Sequence, residues 1–259
     1  MSLPSKTNSL PESQATHHVR TLRTFARFNL GQRWEHTILI LSVLVLLLTG
    51  LPQKYRSTGW SQQILSTPER LETIQDVHHI AALVLAAEAI YHVGKAIVQL
   101  ARRRLPGEML PSLQDLRDAW RMILYLLFIS KVKPQFGKYN FEQKLTYWFL
   151  FFSIGLLGIS GFIQWFPEVF TRILPGGIVP AAKLAHSTEA IVTIIFVVIW
   201  HFYHVHIERL NLSIFTGWLN EEDMRSYHAL EYNRMVASHT PEKTPGSIAA
   251  SAEKPESGD

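Results

Sequence analysis

Cysteine is absent from the 259 residues, which removes disulfides, thiolate-held iron–sulfur clusters and the CxxCH attachment of c-type haem. Charge is sparse, at 18% of residues with a net of +4. The basic residues sit beside apolar blocks instead of forming a face interleaved with exposed aromatics, so nucleic acid is not expected as a partner. A signal peptide is not expected: the first apolar block begins after residue 33 and carries no small-residue cleavage site. What is present is 47% apolar residues and 12 histidines. The apolar residues gather in long blocks, the pattern of a polytopic membrane protein, and histidine is the one abundant metal-ligand type.

The stretch from Lys183 to Arg209, KLAHSTEAIVTIIFVVIWHFYHVHIER, is an apolar helix with a histidine towards each end. At 1.5 Å per residue, His186 and His201 lie about 22 Å apart along its axis, most of the way across a hydrocarbon core. Fifteen steps of 100° leave them about 60° apart around the axis, so both can face one bundle interior. Imidazoles inside a span are accounted for by ligation of a metal or haem iron, or by hydrogen bonds to carbonyls at the interface. Histidines at matching depths on other helices favour ligation.

Taken in order, residues 1–20 are polar and aperiodic and read as a disordered tail, His17 and His18 included. Arg20, Arg23, Arg27 and Arg33 then lead into the first span, WEHTILILSVLVLLLTGLP, with His36 at its start and Pro52 marking its end. From Pro68 to Asp76 a short amphipathic piece is expected to lie along the surface. The second span runs from Val77 to about Leu100, with His78 at its start, His92 fourteen residues on, and alanines that thin the helix for close approach.

Arg102, Arg103 and Arg104 open a segment, reaching Lys144, in which basic residues outnumber acids nine to four. This is the cytoplasmic side by the positive-inside rule. Within it AWRMILYLLFIS is too short to span and is expected as an amphipathic interfacial helix. The third span, Leu145 to Phe166, has Gly155, Gly158 and Gly161 and no histidine, which indicates close packing. After the Pro167–Pro180 connection comes the fourth span. From about Thr240 the chain is low in complexity and reads as disordered.

The expected fold is an all-α membrane protein, a four-helix transmembrane bundle with one interfacial helix. Residues 28–235 form the bundle domain between tails at 1–27 and 236–259, with both termini cytoplasmic. His78 and His186 then fall at the outer face, and His36, His92, His201 and His204 at the inner face. A haem in an electron carrier takes two axial side chains, and both depths can supply a pair.

These blocks resemble the transmembrane di-haem cytochrome b family that includes the gamma subunits of formate dehydrogenases and the b-type cytochromes of nickel–iron hydrogenases, in particular the branch found with periplasmic multihaem cytochromes. The resemblance covers roughly Phe28 to Met235. It rests on GQRWEHTILILSVLVLLLTGLPQKY, VHHIAAL followed by IYH, GKYNFEQKLTYW, HSTEA followed by WHFYH, and TGW before YHALEYNRM.

It implies two haems b, an outer one held by His78 and His186 and an inner one by His36 and His201. It also implies a menaquinone or ubiquinone site at KYNFEQK, carried over to Asn140 and Gln143. In the family the two histidines of the fourth helix are fourteen apart, and here fifteen, which leaves His204 and His92 as competitors for the inner iron and a third haem open. Asn140 and Gln143 also fit a helix cap, the more economical reading of those two residues alone. Glu88 and Glu189 are carboxylates inside spans, each suited to relay protons to a quinone or to hydrogen-bond a ligand histidine.

The expected function is a quinone-reactive membrane subunit of a respiratory complex in the bacterial cytoplasmic membrane. Its expected partner is an extracytoplasmic iron–sulfur or multihaem cytochrome c subunit. The alternatives are a stand-alone transmembrane reductase for an external acceptor and a haem-free anchor.

Overall fold

Asn29 starts the first long helix by a capping box: its side chain accepts from Gln32 N at 2.9 Å while Gln32 Oε1 accepts from Asn29 N at 3.1 Å. Helix α1, Leu30–Lys54, follows, then α2, Gly59–Ile64, and α3, Pro68–Ala101, with Pro68 in its first turn and Thr67 capping it. Helix α4 is Leu113–Leu126, α5 is Phe141–Trp165 and α6 is Pro167–Phe170. Helix α7, Ile178–Phe196, passes without a break into a π-helical segment, Val197–Ile207.

The computed structural model of the chain describes residues 23–104, 107–132, 134–208 and 210–239. The tails expected at 1–20 and beyond Thr240, with His17, His18 and Arg20, lie outside the described residues, as does Arg209.

Four helices are long and apolar enough to cross a bilayer: Leu30–Lys54, Pro68–Ala101, Phe141–Trp165 and Ile178–Ile207. The expected four-span membrane bundle is therefore the fold. The spans pack as two antiparallel hairpins, α1 with α3 and α5 with α7, while backbone approach between the hairpins is sparse. The buried positions within the spans are mostly small, such as Ser42 and Ala81 in the first hairpin and Ser153, Ser160, Ala182 and Thr193 in the second. Small side chains let two backbones close up where lipid supplies no hydrophobic drive.

Three boundaries differ from the sequence reading. Pro52 does not end α1, which runs on to Lys54; Pro in a last turn costs no hydrogen bond beyond its own N–H, and its carbonyl accepts from buried Ser61 Oγ at 2.6 Å. Pro68–Asp76 does not lie along the surface but is the opening of α3. No further proline follows Pro68 within it, so the helix reaches 34 residues, about 51 Å, well beyond a core about 30 Å thick. The chain between 24 and 27, read as tail, includes β1, Thr24–Ala26, antiparallel to β2, Trp218–Asn220, so the all-α fold carries one small β-ribbon.

That ribbon belongs to a cap over one end of the bundle, formed with α8, Ser213–Thr216, α9, Glu221–Tyr227, and α10, Ala229–His239, which passes the expected domain end at 235. Gly217 makes the turn: at φ 85 it is left-handed, and a Cβ there would lie 3.1 Å from Phe28 O. Its carbonyl accepts from Arg27 N at 2.8 Å and Phe28 N at 3.3 Å, while Arg33 donates to Phe215 O.

Helix α4 has the expected interfacial character. It is 14 residues long with Leu113, Leu116, Trp120 and Ile123 exposed along one side, and it begins earlier than the apolar run because Ser112 and Asp115 cap it. Lys144 Nζ donates to both Asp115 oxygens, at 2.9 and 3.0 Å, tying α4 to α5. Phe128, at φ 59, stops the chain from continuing as helix.

A second tie at the capped end joins Glu108, in the short turn Gly107–Met109, to Arg234 of α10 at 3.0 Å and to Lys138 at 3.3 Å. Partial burial acts to raise the Glu108 carboxyl, but the hydrogen bonds and charges of Arg234 and Lys138 outweigh it and hold the group below the usual carboxylate range. A depressed carboxylate contributes stability above its unfolded pKa and loses it as pH falls through the folded value. From about pH 4.3 downward the Glu108–α10 tie therefore weakens. In hydrogen exchange corrected for intrinsic rates, α10 loses protection on acidification. Glu108→Gln shows that loss already at neutral pH and flattens the pH dependence.

Candidate functional site

Two pairs of histidines bridge the gap between the hairpins, one near each end of the bundle. At the capped end His36 of α1 faces His201 of the π segment, with ring centroids 6.3 Å apart. At the far end His78 of α3 faces His186 of α7, with centroids 6.4 Å apart. A metal-ligating imidazole nitrogen lies about 2.0 Å from the metal and about 1.2 Å from its own ring centre. Two imidazoles on opposite sides of one iron are thus about 6.4 Å apart between centroids. Both pairs have that spacing, so the residues fit a haem with two axial histidines at each level.

The far pair is oriented by the hairpins that hold it. Thr49 Oγ donates to Val45 O at 2.7 Å, which leaves its oxygen to accept from His78 Nδ1–H at 2.8 Å. His186 Nδ1–H donates to Leu157 O at 2.9 Å, with Ser160 Oγ at 3.3 Å. With Nδ1 carrying the proton on both rings, Nε2 keeps its lone pair for a metal.

Each ring also lies over a glycine of the neighbouring helix. A Cβ on Gly50 would come 3.3 Å from His78 Cε1, and one on Gly161 would come 3.2 Å from His186 Cε1. Of the three glycines expected to mark close packing in α5, Gly161 alone does so among the described residues; Gly155 and Gly158 have none of these within 4 Å of where a Cβ would go.

The near pair is less tied. His36 Nδ1 is buried and has no hydrogen-bond partner among the described residues, an arrangement that costs about 1–3 kcal/mol unless a ligand compensates.

The helix geometry accounts for the alternatives to His201. Closing the backbone i→i+5 widens each turn, as in the Glu208 N to Tyr203 O bond of 2.8 Å, and cuts the advance per residue to about 80°. His201 then falls about 30° from His186 around the axis and His204 about 145° away. The sequence reading, at 100° per residue throughout, put His204 on the face of His186. The structure turns it aside, onto Glu208 at 2.8 Å and edge-on to Trp200 at 4.6 Å.

His92 is engaged through both nitrogens, Nδ1 with Glu35 Oε2 at 2.9 Å and Nε2 with Tyr147 Oη at 2.9 Å. The π segment also absorbs the fifteenth residue between His186 and His201.

Other expected residues fall as follows. Asn140 caps α5: its side chain accepts from Gln143 N at 2.8 Å, and Gln143 Oε1 accepts from Asn140 N at 3.3 Å and from Arg27 Nη2 at 3.4 Å. Among the described residues, Glu189 has no hydrogen bond to a histidine. It accepts from Ser153 Oγ at 2.6 Å and Thr193 Oγ1 at 3.5 Å, because the His186 ring turns to the Leu157 carbonyl instead. Glu88 lies with Glu35 and His92.

Sequence reasoning missed Thr49, Gly50, Leu157 and Ser160 as partners of the histidines, and also Glu35. Thr49-Gly50 sits thirteen and fourteen residues after His36, and His92 fourteen after His78, so antiparallel alignment of the first two spans would have brought Thr49 and Gly50 to His78.

Four membrane spans with facing histidine couples at two depths define a transmembrane b-type cytochrome, and the comparisons with known proteins agree. Residues 27–217 match the family described as prokaryotic cytochrome b561, and the chain belongs to that family: a haem b protein of membrane electron transport. It is similar to the formate dehydrogenase cytochrome b556(fdo) subunit of Escherichia coli (strain K12), at 22% identity over 212 residues, covering 82% of this chain and 93% of the relative. It is also similar to the formate dehydrogenase cytochrome b556 subunit of Haemophilus influenzae, at 22% over 206 residues, covering 80% and 81%.

Proposed function

We propose that this chain is the di-haem, quinone-reactive membrane subunit of a respiratory complex like the formate dehydrogenases of its relatives. It would carry electrons between an extracytoplasmic iron–sulfur or multihaem cytochrome c subunit and the menaquinone or ubiquinone pool. The observation that supports this most is the pair of inter-imidazole spacings, 6.3 and 6.4 Å, at opposite ends of one lipid-embedded bundle. His78 with His186, and His36 with His201, would hold the two haems, each of which would supply a one-electron iron couple.

The chain's own residues do the rest. Leu157 O and Thr49 hold the far imidazoles in the tautomer that offers Nε2, and the apolar spans keep water from the interior. The capped end, beside the Arg102–Arg104 run, is the cytoplasmic face in a bacterial inner membrane, with both termini on that side. The far end, where the α5–α7 connection carries few charges, faces the partner. Substrate chemistry belongs to the partner, since a chain without cysteine holds no iron–sulfur cluster.

The quinone site is at the capped end, next to the start of α5. Gln143 spends its Oε1 on the Asn140 cap and on Arg27, which leaves its Nε2–H for a quinone carbonyl, while Asn140 holds that amide in place. Glu88, His92 and Tyr147 stand at the same end and supply protons.

Reduction of the purified cytochrome by a soluble quinol, followed by stopped-flow absorbance, tests this. Gln143→Ala should slow it tenfold or more at unchanged haem content. An unchanged rate places the quinone elsewhere, and indifference of the wild-type chain to quinols removes the quinone role.

A further inference from the structure

Glu35, Glu88 and His92 offer one ligand atom each with all three atoms within 4.8 Å of one another, between α1 and α3, and none of the three belongs to either histidine couple. The group carries two carboxylates against one fixed cation, Lys95, which pairs with Glu35 Oε1. Glu35 Oε2 is left to His92 Nδ1. Glu88 makes no hydrogen bond or ion pair among the described residues, a costly state for a carboxylate in a span. We propose that these three side chains form a binding site for a divalent cation of the zinc type, for which Lys95 is the built-in competitor.

The donor set is one imidazole with two carboxylates, which suits a borderline ion such as Zn²⁺. A tetrahedral ion with ligand atoms at about 2.0–2.2 Å spaces them about 3.4 Å apart. His92 and Glu35 already approach more closely than that, and Glu88 closes the remaining distance by a change of rotamer.

Tyr147 orients the imidazole from behind. Its hydroxyl, 2.9 Å from His92 Nε2, donates to a bare nitrogen or accepts from Nε2–H. The proton on Nδ1 therefore moves to Nε2 as the ion takes its place, with no net proton released.

The incoming charge displaces Lys95 from Glu35. That side chain is one third exposed, lies two turns from the end of α3, and has the Tyr91 ring as a second seat with its Nζ 5.6 Å from the centroid. Two carboxylates and the divalent ion then balance in place of a group one negative charge in excess.

Competition by Lys95 fixes the sign of the test. Isothermal titration of the purified, haem-loaded full chain with Zn²⁺ should find a site that Glu88→Gln and His92→Gln each weaken tenfold or more and that Lys95→Met tightens tenfold or more. Lys95→Met keeps the side-chain volume and all three donors, so it reports even if an acidic or histidine variant folds poorly. Zn²⁺ bound equally by wild type and Lys95→Met belongs to surface histidines and overturns the proposal, as does the absence of binding.

Discussion

Under the proposed two-haem assignment, replacing His186 by Ala should halve the haem content measured by pyridine haemochrome, and His36→Ala should halve it in the complementary way. The expectation comes from the separation of the two couples: His186 and His36 lie at opposite ends of the bundle, and each has its own partner ring, at 6.4 and 6.3 Å. Each variant should keep one of the two haem bands in the reduced spectrum. His78→Ala reproduces the spectrum of His186→Ala, and His201→Ala that of His36→Ala. The pairing is tested independently of the count, because variants within a couple give the same spectrum and their double mutants add nothing, whereas a cross-couple double mutant is colourless. If His204→Ala or His92→Ala lowered the haem content as much as His201→Ala, the assignment of the near couple would be wrong.

Gly161→Val should remove the haem proposed for the far couple while leaving His78 and His186 in the sequence. A Cβ on Gly161 comes 3.2 Å from His186 Cε1, and the two methyl groups beyond it occupy the space of the imidazole. Overpacking of this kind costs about 1–3 kcal/mol. The nearest relief is rotation of the His186 ring, which breaks its bond to Leu157 O and turns Nε2 away from His78. Haem content should fall to about half by haemochrome assay, with the remaining band that of His186→Ala. Gly158→Val is the control: the same helix and residue type change, but nothing lies within 4 Å of a Cβ there, so both haems stay. Loss of haem in both variants would make the effect one of helix packing and not of ring displacement.

The four spans were legible because a lipid-embedded helix announces itself by length and composition alone. The interfacial α4 was legible through its short run and its charges. Candidate ligands were legible because an imidazole in an apolar block is rare enough to stand out. The pairing of His78 with His186 and of His36 with His201 was legible only through depth and the family resemblance, and the hydrogen-bond partners of those rings were not legible at all.

Sequence spacing put His186, His201 and His204 on one face only by taking 100° per residue to the end of the span. That estimate fails where the backbone closes i→i+5 from Val197 onward. No propensity in VVIWHFYHVHI announces this, since a π turn is held by its neighbours and not by local preference. Asn140 and Gln143 were legible as a cap from their three-residue spacing, and the cap is what formed.

The protein's identity as a membrane cytochrome b was thus written in the chain, in the absence of cysteine, the four apolar blocks and the histidines near their ends. Those features depend on solvent and ligand chemistry, which act residue by residue. That His204 turns aside from His36, which of three glycines is pressed against a ring, and that Glu35 joins Glu88 and His92 were decided only when the helices came face to face. Contacts across that gap depend on azimuth and depth between separate helices, and no local stretch of sequence carries either quantity.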